Sequence, residues 1–238
     1  MRRIWAICSK ELQLYFYSPI AYVAFAFYVL ISSFMFYANF VLAPQSIIDI
    51  RGLVGNTSFI LLFIVPLLTM RLVADEFRHG TDELLFTSPA NIWEIVTGKF
   101  LAALFVQLAL VLISLIYPWI MSYFGDLDQP VLWLSHLGMF LLGVTMMTVG
   151  LFASSLSNNQ MVGGIAAFVI LLFLWIIDWA AEGFGGKFSD LIVQFSMVGR
   201  QANFYKGVLN LADVLFYVTL TAVFMVLTVQ ILERKRWR

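Results

Sequence analysis

The chain has 238 residues, with 14 basic and 14 acidic side chains and zero net charge. Apolar residues make up 62% and charged residues 12%, whereas soluble domains run at roughly 45–50% and 25%. A water-facing exterior cannot be assembled from this composition, so a membrane-embedded protein is expected.

No arm or patch is basic enough to suggest a nucleic-acid partner. The single Cys8 excludes an internal disulfide, and with only His79 and His136 beside it a His/Cys metal centre is not expected.

In chain order, residues 1–17 come first. A helical wheel places Arg3, Ala6, Lys10, Gln13 and Tyr17 on one face and Ile4, Trp5, Cys8, Leu12 and Tyr15 on another. That pattern predicts an amphipathic elbow helix lying along the membrane interface, with a plain polar extension as the alternative. Ser18-Pro19 follows, with Ser18 as N-cap and Pro19 as the first helical residue. The same pair, with no A-x-A site after a short apolar core, argues against a cleavable signal peptide.

Crossing a hydrocarbon core of about 30 Å takes about 20 helical residues. Gaps between charged side chains therefore place spans at 19–42, 53–73 and 98–124. Residues 129–177 carry no charge and are too many for one crossing. The polar run SSLSNNQ (154–160) divides them into spans at 131–154 and 161–180. Residues 181–210 form the longest loop, and its pieces FSDLIVQFSM and NFYKGVLNLA predict short helices dipping into the membrane face. The sixth span, 211–232, precedes Arg234, Lys235, Arg236 and Arg238. The expected fold is a single all-α transmembrane domain over residues 1–238.

Six spans put both termini on one side. If that side is the cytoplasm, it holds ten of the Lys and Arg residues, and the outside holds only Arg51, Lys187, Arg200 and Lys206. The positive-inside rule then selects N-in and C-in, and residues 71–90, RLVADEFRHGTDELLFTSPA, face the cytoplasm.

Segment 74–91 reads as a stiff connector. The helix of span two is expected to continue past Arg71 through Ala74–Phe77 and to stop at Gly80. Thr81 would N-cap a new short helix with Asp82 and Glu83 at its positive end. Leu84, Leu85 and Phe86 make one side apolar, and Thr87-Ser88-Pro89 ends the turn. Asn91 and Glu94 form a capping box opening the helix of span three, with Lys99 marking the inner interface. An inert lid on the bundle is one explanation. Two sets of helix caps in twenty residues suit a docking knob for a soluble partner better.

The chain supplies no energy source of its own. Gly98-Lys99 and Gly186-Lys187 are each followed by Phe, so no P-loop is present. Neither a G-x-S-x-G elbow nor H-E-x-x-H occurs, so catalysis by this chain is not expected. The deep parts of the spans hold no Asp, Glu, Lys or Arg; Asp178 and Asp213 near outer ends read as solvated, and His136 as a satisfied interfacial histidine. An ion-coupled carrier using carbonyls and hydroxyls, and a non-transporting membrane scaffold, stay open as alternatives.

The pattern Arg71-x-x-Ala74-Asp75-Glu76-x-Arg78-x-Gly80-Thr81-x-Glu83-Leu84-Leu85-x-Thr87-Ser88-Pro89, followed by Trp93-Glu94-Ile95-Val96-x-Gly98-Lys99-Phe100, resembles the ABC-2-type transporter permeases. Within them it is most similar to the GldF/NosY-like branch, whose N-terminal elbow Lys10-Glu11-Leu12, Tyr15-Phe16 and Ser18-Pro19 resemble. Asp82 and Phe77 depart from the usual pattern.

The resemblance implies a membrane half-transporter in the inner or plasma membrane. It would pair with a second copy or a related permease, generally for export. Two separate ABC ATPase subunits holding ATP and Mg would dock beneath, this chain binding no cofactor itself, and an accessory membrane or extracytoplasmic protein would complete some assemblies. The docking residues it implies are Glu76, Arg78, Gly80, Thr81, Glu83, Leu84 and Leu85, with Thr87, Ser88 and Pro89 fixing the turn. A pathway at the dimer interface would draw on Phe27, Phe34, Phe36, Asn39, Thr57 and Ser58, a lining suited to lipid-like, peptide or polymer cargo. Core packing explains the phenylalanines equally well.

Overall fold

The computed structural model describes residues 2–42, 50–81, 90–184 and 196–236. Every regular element among them is helical. In order these are α1 (Arg2–Tyr17), α2 (Pro19–Phe36, continued by a π-helical turn, Tyr37–Leu42), α3 (Arg51–Thr69) and α4 (Ala74–His79). Then follow α5 (Ile92–Ser114), α6 (Ile116–Met121), α7 (Gln129–Leu156), α8 (Gln160–Phe184), α9 (Met197–Tyr205) and α10 (Leu211–Arg236). Six stretches are long and apolar enough to cross a membrane: Pro19–Phe40, Arg51–His79, Ile92–Met121, Gln129–Leu156, Gln160–Ile177 and Leu211–Arg236. The chain is an all-helical integral membrane protein, as the charge gaps predict.

The spans are not equivalent. The apolar windows of α3 and α7 are 72% and 78% buried, while those of α2, α8 and α10 are 22%, 17% and 22% buried. α3 and α7 are therefore the axis of the bundle, and the other three turn most of their surface outward.

Small residues let α7 take this place, because helices in lipid gain contact by close approach. Its Gly138, Gly143 and Gly150 receive Phe204 of α9, Gln107 of α5 and Thr69 of α3, and a Cβ at any of the three would overlap the incoming side chain. Gln107 Nε2 donates to the Met139 carbonyl at 3.4 Å, and its Oε1 is buried without a protein partner.

Four expectations are corrected. The helix of span two does not run on past Arg71: it ends at Thr69, passes through turns and restarts at Ala74. Pro66 lies within α3 and cannot donate to its ladder, yet the helix continues through it; around the break after Thr69 the carbonyls of Leu68, Met70 and Leu72 are taken by Tyr15, Ser154 and Lys99. The buried stripe of α1 includes Cys8, Glu11 and Tyr15 and packs on α5, whereas Trp5 faces outward. Lys99 is not at a wet interface but 1% exposed.

Asp213 is likewise buried rather than solvated. At the end of the bundle opposite α4, it accepts from Arg200 Nη1 at 2.9 Å and Asn203 Nδ2 at 2.7 Å. Arg200 also lies 4.4 Å from the centre of the Phe216 ring. The Tyr217 hydroxyl sits 2.5 Å from the Met197 carbonyl, fastening α9 to α10. Short helices were expected in 181–210, and α9 is one, N-capped by Ser196, whose Oγ accepts from Gly199 N–H at 2.8 Å. The remainder of the first apolar piece lies outside the described residues.

Candidate functional site

The segment singled out by its charge begins on α4. Its last turn closes as expected on Gly80, which sits in the left-handed region at φ 65° and ψ 20°. Gly80 N–H donates to Phe77 O at 3.4 Å and Thr81 N–H to Glu76 O at 3.0 Å, the paired bonds of a Schellman stop. The Thr81 hydroxyl turns back to the same Glu76 carbonyl at 3.3 Å. His79 Nδ1 lies 3.2 Å from Asp75 Oδ1, one turn back.

The other end of α4 has no capping side chain of its own: Val73 stands at its N-cap position. Orphan N–H groups at a helix start need acceptors, and here α7 provides one from 80 residues away. Ser154 Oγ accepts from both Val73 N–H and Ala74 N–H at 3.1 Å and donates to Met70 O at 2.9 Å. Ser154 is fully buried. On the next helix, Gln160 Nε2 donates to Asp75 Oδ1. From α10, Lys235 Nζ lies 3.8 Å from the centre of the Phe77 ring and donates to Asn158 Oδ1 at 3.1 Å.

The opposite side of α4 is fastened by charge. Lys99 Nζ donates to Glu11 Oε1 at 2.8 Å, Glu76 Oε1 at 3.0 Å and the Leu72 carbonyl at 2.5 Å. Lys10 approaches Glu76 Oε1 at 3.4 Å from the solvent side. Two lysines thus balance two carboxylates, which is the condition for burying them at all. Gly98 makes the approach possible: a Cβ there would stand 2.7 Å from Ile7 Cγ2 and 3.1 Å from the Ile4 carbonyl. The Gly-Lys pair that fails as a phosphate loop thus has a packing role, the glycine admitting the elbow and the lysine binding its acid.

Arg71 completes this corner, its guanidinium 4.7 Å from the centre of the Tyr15 ring while the Tyr15 hydroxyl donates to Leu68 O at 3.0 Å. Burial pushes the Tyr15 hydroxyl above its ordinary pKa, with Arg71 opposing, and burial likewise raises the Cys8 thiol. A cleft of about 500 Å³ opens between α1 and α4, lined by Lys10, Arg71, Asp75, Glu76, His79 and Thr81 among others. The capping box opening α5 is present, with Asn91 N–H donating to Glu94 Oε2 at 3.0 Å and Arg3 3.7 Å from the same carboxylate.

Of the residues proposed for docking, Arg78, Gly80 and Thr81 are exposed, while Glu76 is turned inward onto Lys99 and Lys10. Glu83, Leu84, Leu85, Thr87, Ser88 and Pro89, with Asp82 and Phe86, lie outside the described residues. The pathway candidates do not share a face. Phe27, Phe34 and Asn39 are exposed on the outside of α2 and its π-helical turn, and Phe36 stacks on Phe40 at 5.2 Å. Thr57 and Ser58 are buried in the core, their hydroxyls donating to Leu53 O and Val54 O at 2.8 Å.

The sequence reads Ser154 and Gln160 as part of a hairpin, Ser154 also as a close-packing residue, Glu11 as part of the elbow motif and Lys99 as an interface marker, and predicts none of their contacts with α4. Glu11 carried a usable signal. It lies one turn from Ile7 and Tyr15 on the otherwise apolar face of α1, and an acid on such a face demands a partner. Ser154 carried none.

Comparison with known proteins identifies one family. The model for ABC-2 family transporter proteins matches residues 5–238. No curated protein matches the sequence. The match covers the elbow, all six apolar spans and the basic end of α10, and with an all-helical membrane bundle it leaves one conclusion: the chain belongs to the ABC-2 family, the membrane permeases of ABC transporters.

Proposed function

We propose that this permease is one half of an ATP-driven exporter, working as a dimer or with a related permease, and driven by two ATPase subunits that dock on segment 74–91. The observation that carries the reading is the anchoring of α4. A six-residue helix with a left-handed stop is held by Ser154 on one side and a buried Lys99–Glu76–Glu11 cluster on the other. Isolated helices this short do not persist in water. Such fastening suits a pedestal that must receive force without melting.

In this reading Arg78, Gly80 and Thr81 flank the contact, Glu83, Leu84 and Leu85 enter it, and Thr87, Ser88 and Pro89 fix its exit. Glu76 serves as the anchor beneath it. Both termini lie in the cytoplasm of the inner or plasma membrane. ATP and Mg belong to the partner subunits, and an accessory membrane or extracytoplasmic protein completes the assembly. The elbow motif and segment 71–100 favour the GldF/NosY-like branch.

The test is copurification and coupling. The purified chain should bring down an ATP-binding protein and hydrolyse no ATP alone. Glu83→Lys or Gly80→Pro should leave membrane insertion intact while separating ATP hydrolysis from transport. Intact coupling in both variants, or labelling of His79→Cys only from outside the cell, would remove the segment from the mechanism.

A further inference from the structure

α3 and α4 lie in one apolar stretch yet do not form one rod. The α3 ladder ends at Thr69, the next residues are in turns, and Leu72 N–H bonds only three residues back, to Thr69 O at 3.0 Å. Turns bend more easily than helices, so displacement of α4 is poorly delivered to α3 along the backbone.

Two other attachments bypass the break. On one side Glu76 reaches Lys99 and Lys10 through long, multiply rotatable side chains. On the other, Ser154 grips main chain directly with a side chain of a single rotatable bond, on both edges of the break at once: Met70 O on one, Val73 and Ala74 N–H on the other. Gln160 adds its bond to Asp75, the next residue along α4. The helix behind is packed without slack. A Cβ at Gly163 would stand 3.3 Å from Ser154 Cα, and one at Gly164 would stand 3.1 Å from Met70 Cβ. The shortest stiff route from α4 into the bundle therefore enters the hairpin between α7 and α8.

We propose that Ser154 and Gln160 are positioning residues for coupling: they transmit displacement of α4 to the α7–α8 hairpin. This rests on the reading of α4 as the base of the ATPase-docking segment.

The test uses the full chain in lipid nanodiscs with its copurified ATPase subunits, in a Cys8→Ser background. Pulsed electron–electron distances are measured between spin labels at His79→Cys and Val169→Cys, and separately between Val169→Cys and Leu112→Cys. His79, Val169 and Leu112 are all exposed. In the parent, ATP should leave the 79–169 distance narrow and unchanged while shifting the 169–112 distance. Ser154→Ala and Gln160→Ala should each broaden the 79–169 distribution and cut the 169–112 shift by about twofold or more, with ATPase still bound.

Parental distributions and a full shift in both alanine variants would overturn the proposal. If Ser154→Ala does not assemble, Gln160→Ala decides alone, since Gln160 is only partly buried. A parent that binds no ATPase and shows no ATP response fails before any variant is compared, which marks failure of the docking reading and takes this proposal with it.

Discussion

Each end of the bundle buries a charged knot, and their construction differs. At the α4 end, Lys99 pairs with Glu11 across 88 positions of sequence and draws Glu76 in from a third helix. At the α9 end, Asp213 pairs with Arg200 and Asn203, only 13 and 10 positions away. The distant knot can close only when α1, α4 and α5 are all in place. The local one needs just the turn between α9 and α10. The first is a keystone of the tertiary structure, whereas the second staples a short helix to its neighbour.

Removing the lysine should separate the two knots most widely. Lys99→Ala strands the buried Glu11 carboxylate and leaves Glu76 to Lys10 alone, a loss of about 3–5 kcal/mol. It should appear as a collapse in the melting temperature of the detergent-solubilised chain and in exposure of α1 and α4 to hydrogen exchange together. Asp213→Ala should cost less, about 2 kcal/mol, because it forfeits hydrogen bonds to a charged group whose Arg200 partner reaches water. Its exchange signature should stay within 197–213. If that signature spreads to α1 or α4, the local character of the outer knot is wrong.

A finer test spares the charges and disturbs only the approach to them. Gly98→Ala sets an overpacking cost of about 1–3 kcal/mol against a helix-propensity gain of about 1 kcal/mol. Global stability should therefore change by about 2 kcal/mol at most, with the Ile7–Cys8 turn of α1 lifting from α5 while Glu11 keeps Lys99. Cys8 reports this directly. Its buried thiol has a raised pKa, so little thiolate is present near neutral pH and maleimide labelling should be slow. Lifting α1 lowers that pKa toward its ordinary value, and labelling should accelerate at fixed pH. Unchanged labelling would mean that the elbow does not depend on the glycine.

The smallest effect belongs to the edge of the same region. Gly80→Ala places a Cβ in left-handed backbone at a cost of about 1 kcal/mol. Fraying should be confined to α4, read as faster exchange at residues 77–81, while the Lys99 knot holds.

Much of this architecture was legible from the sequence because it depends on local chemistry. Charge gaps and the polar run at 154–160 locate the spans, Gly80 ends α4, and Asn91 with Glu94 opens α5, each by an interaction within a few residues. What escaped depends on partners far away in the chain. A lysine after an uncharged run reads as an interface marker until Glu11 and Glu76 are seen around it. Ser154 sits in a run that reads simply as a turn, and nothing nearby says its hydroxyl will cap a helix eighty residues earlier. The break after Thr69 was hidden for the same reason: the groups that satisfy its freed carbonyls, Tyr15, Ser154 and Lys99, lie far away in the chain. Asp213 misled because a terminal acid is ordinarily hydrated, while its partners lie in a loop whose fold was unknown.

The carboxamide of Gln107, lodged against Gly143 and bonded to the Met139 carbonyl, bears on biogenesis. Newly synthesised α5 leaving the insertion machinery by itself would carry this amide into hydrocarbon without its interhelical acceptor, a bond worth about 1–2 kcal/mol there. Its acceptor is translated only with the following span. The third and fourth crossings should therefore partition into the bilayer as a pair, and a ribosome stalled between them should leave the third still held at the translocation channel.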